Sequence, residues 1–180
     1  GISDSSGAYT FSSSSAAISI SGDVVTILAY TPSAASITAS QAAAGSYDAA
    51  STTLSLLVGR AAPTYQSVAQ ITKTFGVDVS FSLASVVAGI SNSDGAYSTF
   101  SSASGAVQIS GDVVTILAYT PEAVTITASQ DASGNYASSS KTLSLLVSRG
   151  TPTYQSVAQI SKTYGTDVSF SLTSYMAGAS

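Results

Sequence analysis

Gly22-Asp23-Val24-Val25-Thr26-Ile27-Leu28-Ala29-Tyr30-Thr31-Pro32 returns unchanged as Gly111 through Pro121, 89 residues further on. Around it, residues 22–90 and 111–179 agree at 49 of 69 positions, so most of the chain is one repeat written twice. A single residue is inserted upstream, where Ala8-Tyr9-Thr10-Phe11 becomes Ala96-Tyr97-Ser98-Thr99-Phe100. A period of this length exceeds the roughly 20–50 residues of solenoid repeats and matches a whole small domain with its own core.

The repeat alternates with period 2, not 3.6. Val79, Phe81 and Leu83 alternate with Ser80, Ser82 and Ala84, and Val124, Ile126 and Ala128 with Thr125, Thr127 and Ser129. Leu143, Leu145 and Val147 alternate with Ser144 and Ser148, with Leu146 out of phase. Ile109-Ser110-Gly111-Asp112-Val113 reads as a tight hairpin, because Gly-Asp between apolar runs supplies the positive-φ turn. The pattern predicts about seven strands, at 64–70, 78–87, 96–101, 106–110, 113–118, 123–130 and 142–147, and calls for no helix. Val, Ile and Thr fill them, as a pleated, half-buried surface prefers. The fold class expected is all-β, with each repeat an antiparallel two-sheet sandwich.

Arg60-Ala61-Ala62-Pro63 and Arg149-Gly150-Thr151-Pro152 follow strands ending Leu-Leu-Val and carry the proline and small residues of linkers. Cut there, residues 1–60 are a partial repeat lacking its first strands, 61–149 a complete repeat, and 150–180 the first strands of a further one. The chain opens Gly1-Ile2-Ser3 and closes Gly178-Ala179-Ser180 at the same repeat position, which is expected of a window cut from a longer array.

Composition narrows the chemistry. The 180 residues hold five Lys+Arg against nine Asp+Glu, a net charge of −4, with no His, Cys or Trp. No basic surface exists for nucleic acid. Without imidazole or thiol, the commonest general base, the strongest nucleophile and the soft metal ligands are missing. Charged residues are 8% of the chain, against roughly 25% in an ordinary soluble domain. Polarity comes instead from 39 Ser and 20 Thr, expected to face outward, opposite Val, Ile and Leu on the strands. No apolar run approaches the ~20 residues of a membrane helix, so no membrane insertion is expected. A surface this neutral has little charge to keep copies apart, which favours a chain packed among neighbours or under a glycan coat.

The order Lys73–Gly76, Ser91–Tyr97, Ile109–Ile116, Ile126–Gln130, Gly134–Tyr136 and Leu143–Val147 resembles the bacterial immunoglobulin-like (Big-type) repeat. Such modules occur in tandem in bacterial surface proteins, and similar ones in structural proteins of phages and large algal viruses. The resemblance covers nearly the whole chain and implies tandem immunoglobulin-like sandwiches of about seven strands each. It implies an extracellular location, on a virion exterior or a bacterial cell surface, and a role as spacer, adhesin or capsid ornament. Partners would be copies of the chain or adjacent repeats end to end, other capsid or envelope proteins, or a glycan. One departure stands out. Where the family is glycine-rich before Ile-Thr-Ala, Tyr30-Thr31-Pro32 and Tyr119-Thr120-Pro121 form a bulkier corner, marking Tyr30, Pro32, Tyr119 and Pro121 as candidate contact residues.

Other candidates read as structural. Tyr47 and Tyr136 precede the last strand of each repeat, where a phenol bonded to a backbone carbonyl would lock the loop like a tyrosine corner. Ser138 and Lys141 have the S-x-x-K spacing of a hydroxyl beside an amine base, but in a strand or loop of a serine-rich chain. Asp23 and Asp112 sit in hairpin turns; Asp4, Asp94, Asp78 and Asp167 are scattered singly, and calcium needs six to eight clustered oxygens. Lys73 and Lys162 occupy matching positions where some adhesins carry an isopeptide crosslink, but the sole glutamate, Glu122, faces Ser33 in the other repeat. They read instead as edge-strand lysines. No catalytic residue, metal ligand or cofactor is expected.

These readings favour a non-enzymatic structural module of a rod, fibre or virion decoration. The alternative is an adhesin-type module binding glycan or protein. The partial ends are expected to be completed by a neighbouring copy or by further chain, with residues 150–180 folding back onto 1–60 as the competitor.

Overall fold

The structure, a computed structural model, describes residues 3–156, 158–167 and 169–176. In chain order the strands are β1 Tyr9–Ser12, β2 Ile18–Ser21, β3 Val24–Ile27, β4 Ala35–Gln41, β5 Ala50–Leu56, β6 Ile71–Thr74 and β7 Ser80–Ser82. The one-turn helix α1 Ala84–Val87 follows, then β8 Tyr97–Ser101, β9 Val107–Ser110, β10 Val113–Ile116, β11 Val124–Gln130, β12 Ser139–Ser148 and the one-turn helix α2 Thr173–Met176. The fold is all-β.

Among the described residues, strands pair within their own repeat. One set has sheets β1-β4-β5 and β2-β3; the other has β6-β12-β11-β8 and β7-β10-β9. The hairpins β2–β3 and β9–β10 turn on Gly22-Asp23 and Gly111-Asp112. Gly22 and Gly111 carry φ of 63° and 59°, the glycine-first preference of a type II′ turn. The inserted Ser98 appears as a bulge: β8 pairs Thr99 with Ser129 but Tyr97 with Gln130. The bulge absorbs the extra residue, so Tyr97 and Phe100 stack at 6.1 Å just as Tyr9 and Phe11 do.

Both sheets of the second repeat feed one apolar cluster. Val114 and Ile116 come from β10, Val107 from β9, Ile126 and Ala128 from β11, and Leu143, Leu145 and Val147 from β12, with Leu83, Val87 and Ile90 at one end. The first repeat repeats the alternation on β4 (Ala35, Ile37, Ala39) but buries far less, because no strand among the described residues occupies the places of β6 and β7. Val114, Ile116 and Leu143 are 0%, 7% and 3% exposed, whereas their equivalents Val25, Ile27 and Leu54 are 37%, 57% and 44% exposed.

Several strand expectations are corrected. Residues 64–70 form no strand, only a bridge between Tyr65 and Ser91; the strand lies at Ile71–Thr74. It runs parallel to β12, pairing Leu145 with Ile71 and Val147 with Lys73, so the sheet is not purely antiparallel. That partner lies more than seventy residues away, beyond the reach of local periodicity. The 78–87 strand shrinks to Ser80–Ser82 because the chain turns helical at Leu83, with the Ala84 amide bonded to Ser82 Oγ at 3.2 Å. Val79, expected inward, is exposed. Residues 150–176 contain no strand among those described, since no β10 or β12 equivalent lies beside them to receive one. Nor does any hydrogen bond among the described residues join them to 3–60. Residues 1–2, 157, 168 and 177–180, including the terminal Gly1-Ile2 and Gly178-Ala179-Ser180, lie outside the described residues.

The outward-hydroxyl expectation also needs amending. Many serines lie in loops, where the hydroxyl accepts the amide two residues on: Ser91 from Ser93, Ser93 from Gly95, Ser102 from Ser104 and Ser104 from Ala106. Ser3, Ser5, Ser13 and Ser15 do the same in the first repeat. These ST-turns satisfy loop amides with neutral hydroxyls.

Burial difference makes a test. Leu143→Ala removes a side chain from a closed core and is expected to cost about 2–5 kcal/mol in urea denaturation followed by tyrosine fluorescence. Leu54→Ala, at the equivalent but open position, is expected to stay within about 1 kcal/mol of wild type.

Candidate functional site

The most developed polar constellation joins the two repeats. The Tyr30 amide donates to Asn135 Oδ1 at 2.9 Å, and Arg60 Nε donates to the Gly134 carbonyl at 3.2 Å. The Arg60 guanidinium lies 4.3 Å from the centre of the Tyr30 ring and bonds its hydroxyl at 3.1 Å. Ala61, the first residue of the second repeat, pairs with the same turn: Ala61 N donates to Asn135 O and Ala137 N to Ala61 O, both 2.8 Å. Thus the turn before β12 in the second repeat is held by the corner and the last residues of the first. An Arg over a Tyr face is both an electrostatic and a stacking contact, and Arg's planar fork makes it directional.

The corner itself is anchored from below. Thr31, buried, accepts the Val58 amide on Oγ1 at 2.9 Å and donates its own amide to Val58 O at 3.0 Å. Thr120 and Val147 do the same at 2.9 Å each. So Thr fixes the corner, and Tyr projects from it while Pro32 and Pro121 stay exposed. Arg149 stacks on Tyr119 at 4.0 Å and bonds its hydroxyl at 2.6 Å, a second copy of the same clip.

Each repeat also has a glutamine hub. Gln130 Oε1 accepts from Ser91 Oγ at 2.8 Å and Tyr65 Oη at 3.1 Å, while Nε2 donates to the carbonyls of Ser93 and Gly95 at 3.0 and 2.7 Å. All four of its bonding positions are used. Gln41 matches three of them, through Ser3 Oγ and the carbonyls of Ser5 and Gly7. Gly95 passes so close to the chain just after β11 that a Cβ there would collide with the Asp131 carbonyl oxygen. Alternation places Gln130 at the last inward position of β11, but gave no sign of the loop hydroxyls and carbonyls that satisfy it there.

A cleft of about 440 Å³ opens beside this hub, lined by residues that include Ser91, Asp94, Tyr97, Phe100 and Asp112. Burial pushes the Tyr97 phenol pKa up, and its buried oxygen has no hydrogen-bond partner among the described residues. The cleft holds hydroxyls and separated carboxylates, of which Asp112 accepts a hydrogen bond from the Ser82 hydroxyl. Among the described residues no three His, Cys, Asp or Glu side chains gather where a metal ion could sit.

The remaining candidates are placed as follows. Tyr136 turns on Ser133 through two backbone bonds of 3.1 and 2.9 Å, and its phenol accepts from Asn92 Nδ2 at 3.3 Å rather than bonding a carbonyl. Tyr47 makes the same backbone turn with Ala44, but its ring is exposed. Lys141 lies on β12 opposite Ala128, and Ser138 lies three residues back in extended chain, a spacing that turns successive side chains to opposite faces. Lys73 Nζ pairs with Asp78 at 3.5 Å and lies over the Phe81 ring.

Two carboxylates are tuned. Asp112 is held below the ordinary carboxylate range chiefly by the Ser82 hydroxyl, and Asp78 chiefly by the Thr74 amide, which donates to it at 2.8 Å. A depressed folded-state pKa contributes stability above the unfolded value of about 4 and loses it as pH falls through the folded value. The urea midpoint is therefore expected to hold from pH 7 to about 5 and to drop below about 4. The Asp78→Asn/Asp112→Asn variant is expected to show a smaller drop. Intact-mass spectrometry is expected to return the mass of the unmodified sequence; a loss of water or ammonia would reveal a Lys73 crosslink.

Among the described residues no helix is long and apolar enough to cross a membrane. Compared with known proteins, the chain matches no family model, no curated protein and no solved structure.

Proposed function

We propose that the chain is a non-enzymatic structural module: tandem immunoglobulin-like β-sandwiches forming part of a surface rod, fibre or virion decoration. The observation that carries this reading is the seam between the repeats. Tyr30, Arg60 and the Asn135 turn restrain the angle between neighbours, where a flexible linker would leave it free. The residues of the clip recur as Tyr119 and Arg149, so the same restraint is available at each step of an array. Supporting it, the polar groups are spent on holding loops and strands, as the glutamine hubs and serine turns illustrate. The work is mechanical: each repeat buries its own core, and the seam transmits orientation. An exterior location and neighbouring capsid, envelope or surface proteins follow from this role.

Residues of the seam lie outside the apolar cluster of the second repeat, so they can be changed without touching that core. In the Arg60→Ala/Asn135→Ala variant, NMR relaxation is expected to show the two repeats tumbling separately, with a shorter correlation time for residues 3–60. Wild type is expected to tumble as one body. Independent tumbling in wild type would overturn the reading.

A further inference from the structure

The cleft beside the Gln130 hub takes no part in the seam between the repeats. We infer that it binds a small organic ammonium ion, a positively charged nitrogen on an apolar stem, between the Tyr97–Phe100 ring pair and the carboxylates of Asp94 and Asp112.

The cleft has two kinds of wall. Ala84, Val87 and Ala88, from α1 and the residue after it, join Tyr97 and Phe100 of β8 as the apolar side. The two rings are half-buried and nearly parallel, 20° apart with centroids 6.1 Å from each other. Asp94 and Asp112 carry the charge of the lining, and no Lys or Arg is part of it. With its carboxyl held below the ordinary range chiefly by the Ser82 hydroxyl, Asp112 is ionised at neutral pH. The volume of about 440 Å³ falls within the roughly 300–1,000 Å³ of small-molecule sites. Carboxylate oxygens accept hydrogen bonds and attract positive charge, and so do the faces of aromatic rings. An anion is repelled here, and a neutral ligand gains nothing from the two charges. An ammonium ion is attracted by both walls.

The chain uses the same grip elsewhere. The Lys73 ammonium pairs with Asp78 at 3.5 Å while lying 5.2 Å from the centre of the Phe81 ring. Arg60, Arg149 and Lys162 also lie over aromatic rings. Tyr97 and Phe100, which share their cleft with two carboxylates, receive no such cation from the described residues.

The walls are held in shape without a ligand. Gln130 Nε2 bonds the carbonyls on both sides of Asp94, those of Ser93 and Gly95. Asp112 is tied to β7 and α1 by its side chain, through Ser82, and by its carbonyl, which accepts the Leu83 amide at 2.7 Å. Such preorganisation lowers the ordering cost of binding. The second carboxylate is particular to this repeat: Ser93-Asp94-Gly95-Ala96-Tyr97 corresponds to Ser5-Ser6-Gly7-Ala8-Tyr9 in the first. All the lining residues lie between Ala84 and Gln130, inside the complete repeat.

The test is NMR titration of the whole chain with choline and with Nα-acetyl-lysinamide. The control is the uncharged carbon analogue of choline, in which tert-butyl replaces trimethylammonium. At least one ammonium is expected to give saturable shifts at the amides of Asp94, Tyr97, Phe100 and Asp112. Its protons next to nitrogen are expected to move upfield, as they do over a ring face. The carbon analogue is expected to bind at least about threefold more weakly than choline. Asp94 is exposed, and its side chain makes no hydrogen bond among the described residues, so Asp94→Asn is expected to preserve the rest of the spectrum. That variant is expected to weaken ammonium binding about threefold, and Asp94→Glu to restore it. Equal binding of the carbon analogue overturns the inference and leaves an apolar cleft. So does unchanged binding to Asp94→Asn, or shifts spread evenly over the carboxylates of the chain. Calcium chloride shifting the same amides where neither ammonium does would assign the cleft to an inorganic cation and overturn it too. No saturable shift with either ammonium ends it outright. None of these results bears on the seam, which the relaxation experiment tests by itself.

Discussion

Everything in the complete repeat depends on the two-sided pairing of β12. It receives β11 along seven residues on one edge and β6 in parallel on the other, and it lends Leu143, Leu145 and Val147 to the core. A small, weakly charged β-domain has few other means of hiding a backbone edge. When both edges are paired, the opposing sheet closes over the same side chains. When one is open, as on β5, Leu54 and Val58 lose their cover and the facing hairpin β2–β3 is left with an exposed apolar side. The contrast between the two repeats is therefore a contrast in pairing, since their strand sequences are nearly the same.

Neutral side chains serve this architecture in two ways. Hydroxyls in the loops take up amide groups that no ladder can reach, so loops keep their shape without charge. Amides and hydroxyls inside, on Gln130 and Thr120, tie a loop or corner to a strand end at buried positions. A buried polar group is stabilising only when fully bonded, and Gln130 is. The one ion pair among the described residues, Lys73 with Asp78, braces a turn and contributes little at its exposure.

Legibility varied with the range of the interaction. The alternation on β11 and β12 and the Gly-Asp hairpins could be read locally, because each side chain's face follows from its neighbours. The inserted residue was visible, and its consequence, a bulge at Ser98, follows from keeping Tyr97 and Phe100 on one face. The 64–74 segment misled: its apolar residues fit a strand at 64–70, yet only the edge of β12 determines where pairing begins. The corner tyrosines stood out as bulky, but Arg60 as their partner did not, since the clip spans thirty residues and depends on where the chain leaves β5. Asn135 differs from Ser46 in the sister repeat, a small difference that becomes meaningful only when Tyr30 is found beside it.

The sequence by itself determined an all-β chain, a repeat of 89 residues and the inward set on its best strands, and its composition removed imidazole and thiol chemistry. These follow from chain-local physics: side-chain period, turn stereochemistry and the atoms available. Only the tertiary structure decided which edges are filled, which tyrosine meets which arginine, and that residues 71–74 run parallel to β12 while their counterparts 160–163 pair with nothing described. Identical stretches differ in outcome here because a strand needs a partner to exist, and whether a partner is at hand is a property of the assembled molecule.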